Sequence, residues 1–311
     1  MNRYSTTRKK GIGYIFTFFT VLVWGTTFIA TKLLLVSFSS FEILVIRFVI
    51  GYAALSLISP KFLPFKNIKD ELIYAGAGLT GLTLYQLLEN IALNYSTASN
   101  ASIIISSAPL FTAIAMRIFM KEESKPLNLR FIFGFLTAIT GIAVISFNGS
   151  FILKINPLGD LLALCGAVIW ALYSVLVSKI NQKSHPPLAS TRRIFFYCLI
   201  FIILLSFFIP VDISAQTQMK RFSSIQNIGL LLFLGAAASA LCFVTWNTAC
   251  SFLGTNKTTL YIYLIPVVTV IASIIVLGEK ITLPGSIGCA LTIAGLLISE
   301  DIFKKNVKKG A

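Results

Sequence analysis

The chain has 311 residues, of which 56% are hydrophobic and only 12% are charged. Soluble domains are about a quarter charged, so this composition, with a mean hydropathy of +0.86, excludes an ordinary soluble protein and indicates a membrane protein. The net charge of +15 does not indicate a nucleic-acid partner, because most basic residues lie in loops on one side of the predicted topology.

Apolar runs with few charges recur along the whole chain. A helix needs about 20 such residues to cross a bilayer, whereas a spanning strand needs about ten with strict alternation, so each run predicts a helix. The sequence therefore predicts an all-α polytopic membrane protein with ten transmembrane helices. The ten runs are 13–36, 40–59, 70–93, 98–120, 128–148, 158–181, 188–210, 225–249, 255–277 and 283–303.

The basic residues outside these runs are distributed unequally. Nineteen lie in the tails and loops of one side, which includes the tails 1–12 and 304–311, and four lie on the other side. The positive-inside rule places the basic side in the cytoplasm. We therefore expect an integral protein of the cytoplasmic membrane with both termini in the cytoplasm.

Two parts of the chain repeat each other. The segments that start at Ala92 and Ala249 align at a constant offset of 157 residues. Further on, Gly134 and Gly141 correspond to Gly288 and Gly295 after a small change in loop length. Other matched residues of the two segments are Asn90 and Asn247, Pro109 and Pro266, and Glu122 and Glu279.

The repeat predicts two five-helix halves, 13–148 and 158–303, joined by an extracytoplasmic linker at 149–157. Because each half has an odd number of spans, the second half must be inverted in the membrane. Inverted repeats are typical of secondary transporters that work by alternating access, with the substrate between the halves.

Four segments carry a resemblance to a known family: VWGTTFIATK, LVIRF, IALNYSTASNASIIISSAPLFTAI and LIPVVTVIASIIVLGEKITLPGSIG. They resemble the EamA-like branch of the drug/metabolite transporter superfamily. The resemblance implies a ten-helix carrier with cytoplasmic termini, a central cavity and alternating access. Members of the superfamily move amino acids, other small metabolites, nucleotide-like compounds and toxic amphiphiles, often outward.

Four ionisable residues lie in the outer half of the first repeat: Lys32, Glu42, Arg47 and Glu89. Charges within spans are costly and tend to pair or to face a cavity. One hypothesis is a network of these four residues that closes the outer mouth. The alternative is that Lys32 and Glu42 reach the interface from helix ends while Arg47 caps carbonyl groups.

The inverted counterparts of Lys32 and Arg47 are Lys179 and Arg193, which we expect near the cytoplasmic mouth as gate or orientation residues. Glu89 has no acidic counterpart, because Trp246 stands at the matching position. Glu89 is therefore a candidate amine contact or proton-coupling site, with protons as the candidate coupling ion. The alternative is a structural partner for Arg47 or Lys32.

Aromatic and amide side chains inside the spans are the candidates for the wall of a substrate cavity, since pockets are mostly apolar with a few polar groups. The alternative for the aromatic residues is packing or contact with lipid. Together with Glu89, the candidates are Trp24, Tyr85, Asn90, Trp170, Tyr173, Trp246, Asn247, Tyr261 and Tyr263. Pro109 and Pro266 are candidate hinges, or static kinks, because proline removes a backbone hydrogen bond and bends a helix.

The sequence carries no pattern of an enzyme or a pump. Residues 76–81 fit GxGxxG, but they lie inside a predicted span without a preceding strand, so small-residue packing explains them better than a nucleotide site. The five cysteines lie inside spans without a CxxC pair, and we expect no metal and no cofactor.

The sequence thus predicts a secondary transporter that moves small organic solutes, either amino acids or related amphiphilic metabolites, outward across the cytoplasmic membrane. An uptake carrier or facilitator for another metabolite is the alternative, and a membrane receptor or enzyme is a more distant one. The expected partners are a small-molecule substrate and the lipid bilayer.

Overall fold

The computed structural model describes residues 3–60, 62–96, 98–121, 128–147, 157–183, 185–209, 214–277 and 283–300. All regular structure within these ranges is helical. The α-helices are α1 (Arg3–Leu34), α2 (Ser40–Ile58), α3 (Ile68–Ala77), α4 (Tyr85–Tyr95), α5 (Ala98–Ile105), α6 (Ala108–Phe119), α7 (Leu129–Phe147), α8 (Pro157–Gln182), α9 (Pro187–Ser206), α10 (Ala215–Phe222), α11 (Ile225–Leu232), α12 (Cys242–Leu253), α13 (Thr255–Leu260), α14 (Ile265–Leu277) and α15 (Leu283–Glu300).

Five helical stretches of the described chain are long and apolar enough to cross a membrane: Thr7–Leu34, Ser40–Ile58, Pro157–Gln182, Pro187–Ser206 and Ile225–Leu253. Shorter apolar helices accompany them at Ala108–Phe119, Leu129–Val144 and Leu283–Ser299. The predicted class, an all-α polytopic membrane protein, is confirmed at this level.

The first helix begins earlier than the apolar pattern predicted. It starts at Arg3, so most of the expected tail 1–12 continues the helix, since no proline interrupts it. Pro157 begins α8, while the rest of the expected linker 149–157 lies outside the described residues. The expected tail 304–311 lies outside them too, as do Glu122 and Glu279.

Two of the long helical stretches contain π-helical segments. Gly78–Leu84 connects α3 to α4, and Phe233–Leu241 connects α11 to α12. A π segment shifts the direction in which the side chains after it point from the helix axis. Such segments often lie at functional sites. They cover corresponding positions of the sequence repeat, because Gly78 and Gly235 are 157 residues apart.

The two candidate hinge prolines lie at helix starts. Pro109 is in the first turn of α6, after a break at 106–107 that separates α6 from α5. Pro266 is the second residue of α14, directly after a 3₁₀ segment at Tyr261–Leu264. Proline suits the first turn of a helix because the N–H that it lacks would have no partner within the helix there.

Helices α7 and α15 cross at very short distance because glycines face each other. A Cβ built on Gly295 would lie 2.3 Å from the backbone nitrogen of Ala138 and 2.6 Å from the carbonyl oxygen of Gly134. A Cβ on Gly141 would lie 2.6 Å from the carbonyl oxygen of Gly288. Small residues permit this backbone approach, which is a common way of packing helices in membranes.

The first helix of each predicted half packs against the other half. Helix α1 contacts α12, where the Thr20 and Thr245 hydroxyl groups lie 2.7 Å apart, and α14, where Thr269 Oγ1 donates to the Gly25 carbonyl at 2.7 Å. Helix α8 in turn packs against α4 and α6. The two predicted halves therefore interlock around one shared interior.

Candidate functional site

A narrow cavity lies in this interior, between helices α1, α2, α4 and α8 and the start of α14. Its volume is about 20 Å³, enough for roughly one water molecule. Its walls combine two opposite charges, an amide and four aromatic rings. The lining residues include Trp24, Arg47, Tyr85, Gln86, Glu89 and Trp170.

Arg47 carries the positive charge of the cavity. Its side chain is only 1% exposed. Nε donates to the Ser239 hydroxyl at 3.0 Å, and Nη1 donates to the amide oxygen of Gln86. A guanidinium has five N–H donors, so these bonds fix its position and leave N–H groups without a protein partner among the described residues. A buried charge with free donors beside a cavity is suited to an anionic ligand group.

Glu89 carries the negative charge. Its side chain is 4% exposed and lies on the same helix face as Tyr85, one turn earlier on α4. Glu89 and Arg47 line the same cavity from different helices. Since opposite charges attract strongly where water is excluded, each makes the burial of the other less costly.

Aromatic rings surround the charges. The ring centroids of Trp24 and Trp170 are 5.4 Å apart, and Trp246 lies 5.0 Å from Trp24. Trp170 also lies 4.9 Å from Tyr85 and 5.0 Å from Tyr173. The three tryptophans thus form one cluster, in which Trp246 packs behind Trp24. Aromatic faces attract ammonium groups and apolar side chains alike.

The two predicted amide residues hold helices together instead of lining this cavity. Asn90 Nδ2 donates to the Ser40 carbonyl at 3.1 Å and so joins α4 to α2. Asn247 Oδ1 accepts from the Tyr173 hydroxyl at 2.9 Å, and its Nδ2 donates to Thr191 at 3.0 Å, so it joins α12 to α8 and α9.

Two further predicted cavity residues lie elsewhere in the packed interior. Tyr261 makes an edge contact with Phe18 at 5.2 Å between ring centroids. Tyr263 is fully buried and packs near Phe135. Neither ring belongs to the wall of the cavity between Arg47 and Glu89.

The four residues predicted to close the outer mouth contact different groups. Lys32 Nζ donates to the carbonyls of Leu93 and Ser96 at the end of α4. Glu42 accepts from the backbone N–H of Ser39 at 2.7 Å and pairs with Arg221 at 2.9 Å. Arg47 and Glu89 lie at the cavity instead. The structure thus separates the charges of the cavity from a cluster at one end of the helices, which we call the outer cluster after the predicted topology.

A second polar cluster lies at the opposite end of the same helices. Arg193 Nη1 lies 3.2 Å from a carboxylate oxygen of Glu71, whose other oxygen accepts from the Tyr197 hydroxyl at 2.5 Å. Lys183 pairs with Asp70. Lys179 is half-buried, and none of the ion pairs among the described residues includes it.

His185, in the loop between α8 and α9, joins this second cluster. Its Nδ1 lies 2.8 Å from the Tyr74 hydroxyl, which connects the loop to α3. Burial lowers the pKa of His185, and the nearby cations Lys66, Lys183 and Arg193 act in the same direction against Asp70. Burial and these cations therefore favour the neutral imidazole of His185 near neutral pH.

Sequence reasoning missed Gln86, Ser239 and Arg221. Gln86 had a usable signal, because it lies three residues before Glu89 and shares its helix face. Ser239 and Arg221 had none, since their partners Arg47 and Glu42 are 192 and 179 residues distant in the chain.

Buried charges and aromatic rings around a cavity among apolar helices are typical of membrane proteins that move or bind small polar solutes. The sequence profile of the EamA-like transporter family matches residues 11–147 and again residues 157–300. The chain belongs to the EamA-like transporter family. The predicted resemblance is thereby confirmed.

Named relatives agree with this assignment. An uncharacterized transporter of Archaeoglobus fulgidus is 27% identical over 287 residues, which cover 90% of this chain and 94% of the relative. A probable terminal-alkyne amino-acid exporter of Streptantibioticus cattleyicolor is 26% identical over 280 residues, with 90% of each chain covered. These names describe transporters and not enzymes.

A solved crystal structure has a similar fold. It aligns with a TM-score of 0.70 at 18% identity and covers 97% of this chain and 99% of its own. At this identity the likeness concerns the fold alone.

Proposed function

We propose that the protein is a secondary transporter that exports amino acids or related amphiphilic metabolites across the cytoplasmic membrane by alternating access. The observation that carries the proposal is the pair of buried opposite charges, Arg47 and Glu89, in the wall of one aromatic cavity. The similarity to a probable terminal-alkyne amino-acid exporter supports both the substrate class and the direction.

The chemistry of the cavity suits a zwitterion. A guanidinium binds a carboxylate through parallel N–H···O bonds. A carboxylate with neighbouring aromatic rings attracts an ammonium group. Arg47 and Glu89 therefore offer one contact for each end of an amino acid, while Trp24 and Trp170 offer apolar surface for its side chain.

The ten-helix inverted repeat is part of this proposal, with halves at 13–148 and 158–303. Its first support is the double match of the family profile, once in each half. The contact between α7 and α15 is a second. In the repeat, Gly134 corresponds to Gly288 and Gly141 corresponds to Gly295. In the structure the contacts are exchanged: Gly134 lies against Gly295, and Gly141 lies against Gly288. Such reciprocal contacts are what a two-fold relation between equivalent helices produces.

The π segments provide another reciprocal contact. A Cβ on Gly78 would lie 2.7 Å from the carbonyl oxygen of Ile194 on α9, and a Cβ on Gly235 would lie 3.1 Å from that of Arg47 on α2. Gly78 and Gly235 are equivalent in the repeat, and α2 and α9 are the second helices of the two halves. The π segment of each half therefore packs against the second helix of the other half.

Alternating access requires this molecule to change shape. A cavity of about 20 Å³ holds one water molecule and no amino acid. We propose that the outer pair Glu42–Arg221 and the inner pair Glu71–Arg193 open in alternation, with Lys32 and Lys179 at the two mouths. Pro109 and Pro266, at equivalent breaks before α6 and α14, are the proposed hinges.

The proposed orientation has both termini in the cytoplasm, and exposed residues of two loops test it. Lys66→Cys, in the loop after α2, should react with a membrane-impermeant maleimide only after permeabilisation of the cells. Lys220→Cys, in α10, should react in intact cells. Both native lysines are exposed, so the two variants are matched. The opposite labelling pattern would invert the proposed topology.

Flux in proteoliposomes tests the function. We expect saturable movement of a labelled amino acid from a panel of L-leucine, L-phenylalanine and L-threonine, with collapse of an imposed proton gradient reported by an internal pH dye. Movement without a proton signal would indicate a facilitator. Binding without movement would indicate a receptor, and neither binding nor movement of any amino acid would refute the proposed substrate class.

A further inference from the structure

The indole N–H of Trp170 is a buried donor without a partner. The side chain is 3% exposed, and Nε1 has no hydrogen-bond acceptor among the described residues. Trp170 also lines the cavity beside Arg47 and Glu89. An unpaired buried donor costs about 1–3 kcal/mol, so a protein that keeps one beside a binding cavity has a use for it in the bound state.

Trp24 is the matched counterpart of Trp170, and its N–H is satisfied. The two residues are equivalent first-helix positions of the two halves. Trp24 Nε1 donates to the Ala238 carbonyl in the second π segment at 3.0 Å. The equivalent of Ala238 is Gly81 in the first π segment, where the Tyr173 ring packs so closely that a Cβ would lie 2.1 Å from it. The two halves therefore differ at this position: the Trp24 N–H has a backbone acceptor, and the Trp170 N–H has none among the described residues.

We propose that the Trp170 indole N–H and the free N–H groups of Arg47 together bind the carboxylate of the substrate. This inference rests on the proposed function and deepens it. It assigns the acidic end of the ligand to the side of α2 and α8, and the amino end to Glu89 on α4.

A ligand of this site must therefore carry an anionic group that accepts hydrogen bonds. An amine that lacks the carboxylate leaves the indole N–H and the free guanidinium N–H groups without an acceptor. Sites that bind a polar group strongly reject analogues without it. The protein should therefore discriminate between an amino acid and its decarboxylated amine, although both carry the ammonium group and the same side chain. A site that selects cations alone would show the reverse preference or none.

The test compares Trp170→Phe with Trp24→Phe in the full-length protein. The ligands are L-leucine and 3-methylbutylamine, and L-phenylalanine and 2-phenylethylamine. Affinity is measured by ligand-induced thermal stabilisation in detergent and by competition for flux in proteoliposomes. A hydrogen bond to a charged group contributes about 1.5–3 kcal/mol. We expect Trp170→Phe to weaken amino-acid binding at least about tenfold and to leave amine binding unchanged.

Trp24→Phe is the control, because its N–H already bonds to the protein. It should lower the melting temperature without changing the ratio between amino-acid and amine affinities. If Trp170→Phe does not fold, the native protein still decides, since it must bind the amino acid at least about tenfold more tightly than the amine.

Three results would overturn the inference. Equal weakening of amino acid and amine in Trp170→Phe would reduce Trp170 to an apolar wall, and no weakening would remove its role entirely. A native protein that binds amine and amino acid equally would exclude a carboxylate contact. The first two leave the proposed site of Arg47 and Glu89 intact. The third also removes the carboxylate contact of Arg47 but leaves transport itself intact, whereas a native protein that binds and moves no amino acid refutes the proposed function.

Discussion

Glu89→Gln is expected to abolish the substrate-dependent collapse of a proton gradient and to reduce amino-acid flux by about ten- to a hundredfold. Glutamine has nearly the same shape and can take the same place beside Tyr85, but it can neither bind a proton nor pair with an ammonium group. A hydrogen bond to a charged group contributes about 1.5–3 kcal/mol, which is roughly this range of affinity. The substitution also leaves the buried charge of Arg47 without its opposite charge in the cavity.

The matched control is Glu42→Gln. Glu42 is buried to the same degree, at 4% exposure, but pairs with Arg221 in the outer cluster, away from the cavity. Because Glu42 belongs to the proposed outer gate, we expect this variant to change the rate of transport but to keep the substrate-dependent proton signal, since Glu89 is unchanged. If Glu89→Gln transports like the native protein and both move substrate without protons, Glu89 is a structural partner of Arg47. The proposal that it couples transport to protons would then be wrong.

Gly295→Ala should lower the melting temperature of the detergent-solubilised protein by about 5 °C or more. The added Cβ would meet the backbone of α7 at 2.3 Å from Ala138 N and 2.6 Å from Gly134 O. Backbone atoms cannot turn aside as a flexible side chain can, so α7 and α15 must separate. Overpacking of this kind costs about 1–3 kcal/mol, and sometimes more. Loss of contacts along both helices adds to this cost.

Gly229→Ala provides the comparison for this variant. Gly229 lies in α11, is exposed, and has open space where a Cβ would stand. Alanine favours helix by up to about 1 kcal/mol over glycine, so its melting temperature should stay the same or rise. Equal melting temperatures for Gly295→Ala and Gly229→Ala would show that α7 and α15 are not packed as closely as described.

The membrane class could be determined from the sequence because it depends on properties of each segment alone. A run of apolar residues must form a helix in lipid, since every backbone group needs a partner there. The sequence likewise pointed to Arg47 and Glu89, because a charge inside such a run needs a partner or a cavity. It pointed to the glycines of α7 and α15 through their matched spacing.

The partners of the charged residues could not be predicted in this way. The sequence grouped Lys32, Glu42, Arg47 and Glu89 by depth in the membrane. The structure instead divides them between the outer cluster and the cavity. Depth follows from position along a helix, but pairing also depends on the direction in which each helix face points, and that direction is set by packing against helices far away in the chain.

The asymmetry between Trp24 and Trp170 illustrates the same division. From the sequence, both tryptophans could be placed within predicted spans at nearly equivalent positions of the repeat. The packing of the helices then gives the Trp24 N–H its acceptor at Ala238 and leaves the Trp170 N–H without one among the described residues. The reason is physical: a repeat fixes which residues are equivalent, whereas a hydrogen bond depends on a few tenths of an ångström in how the two halves interlock.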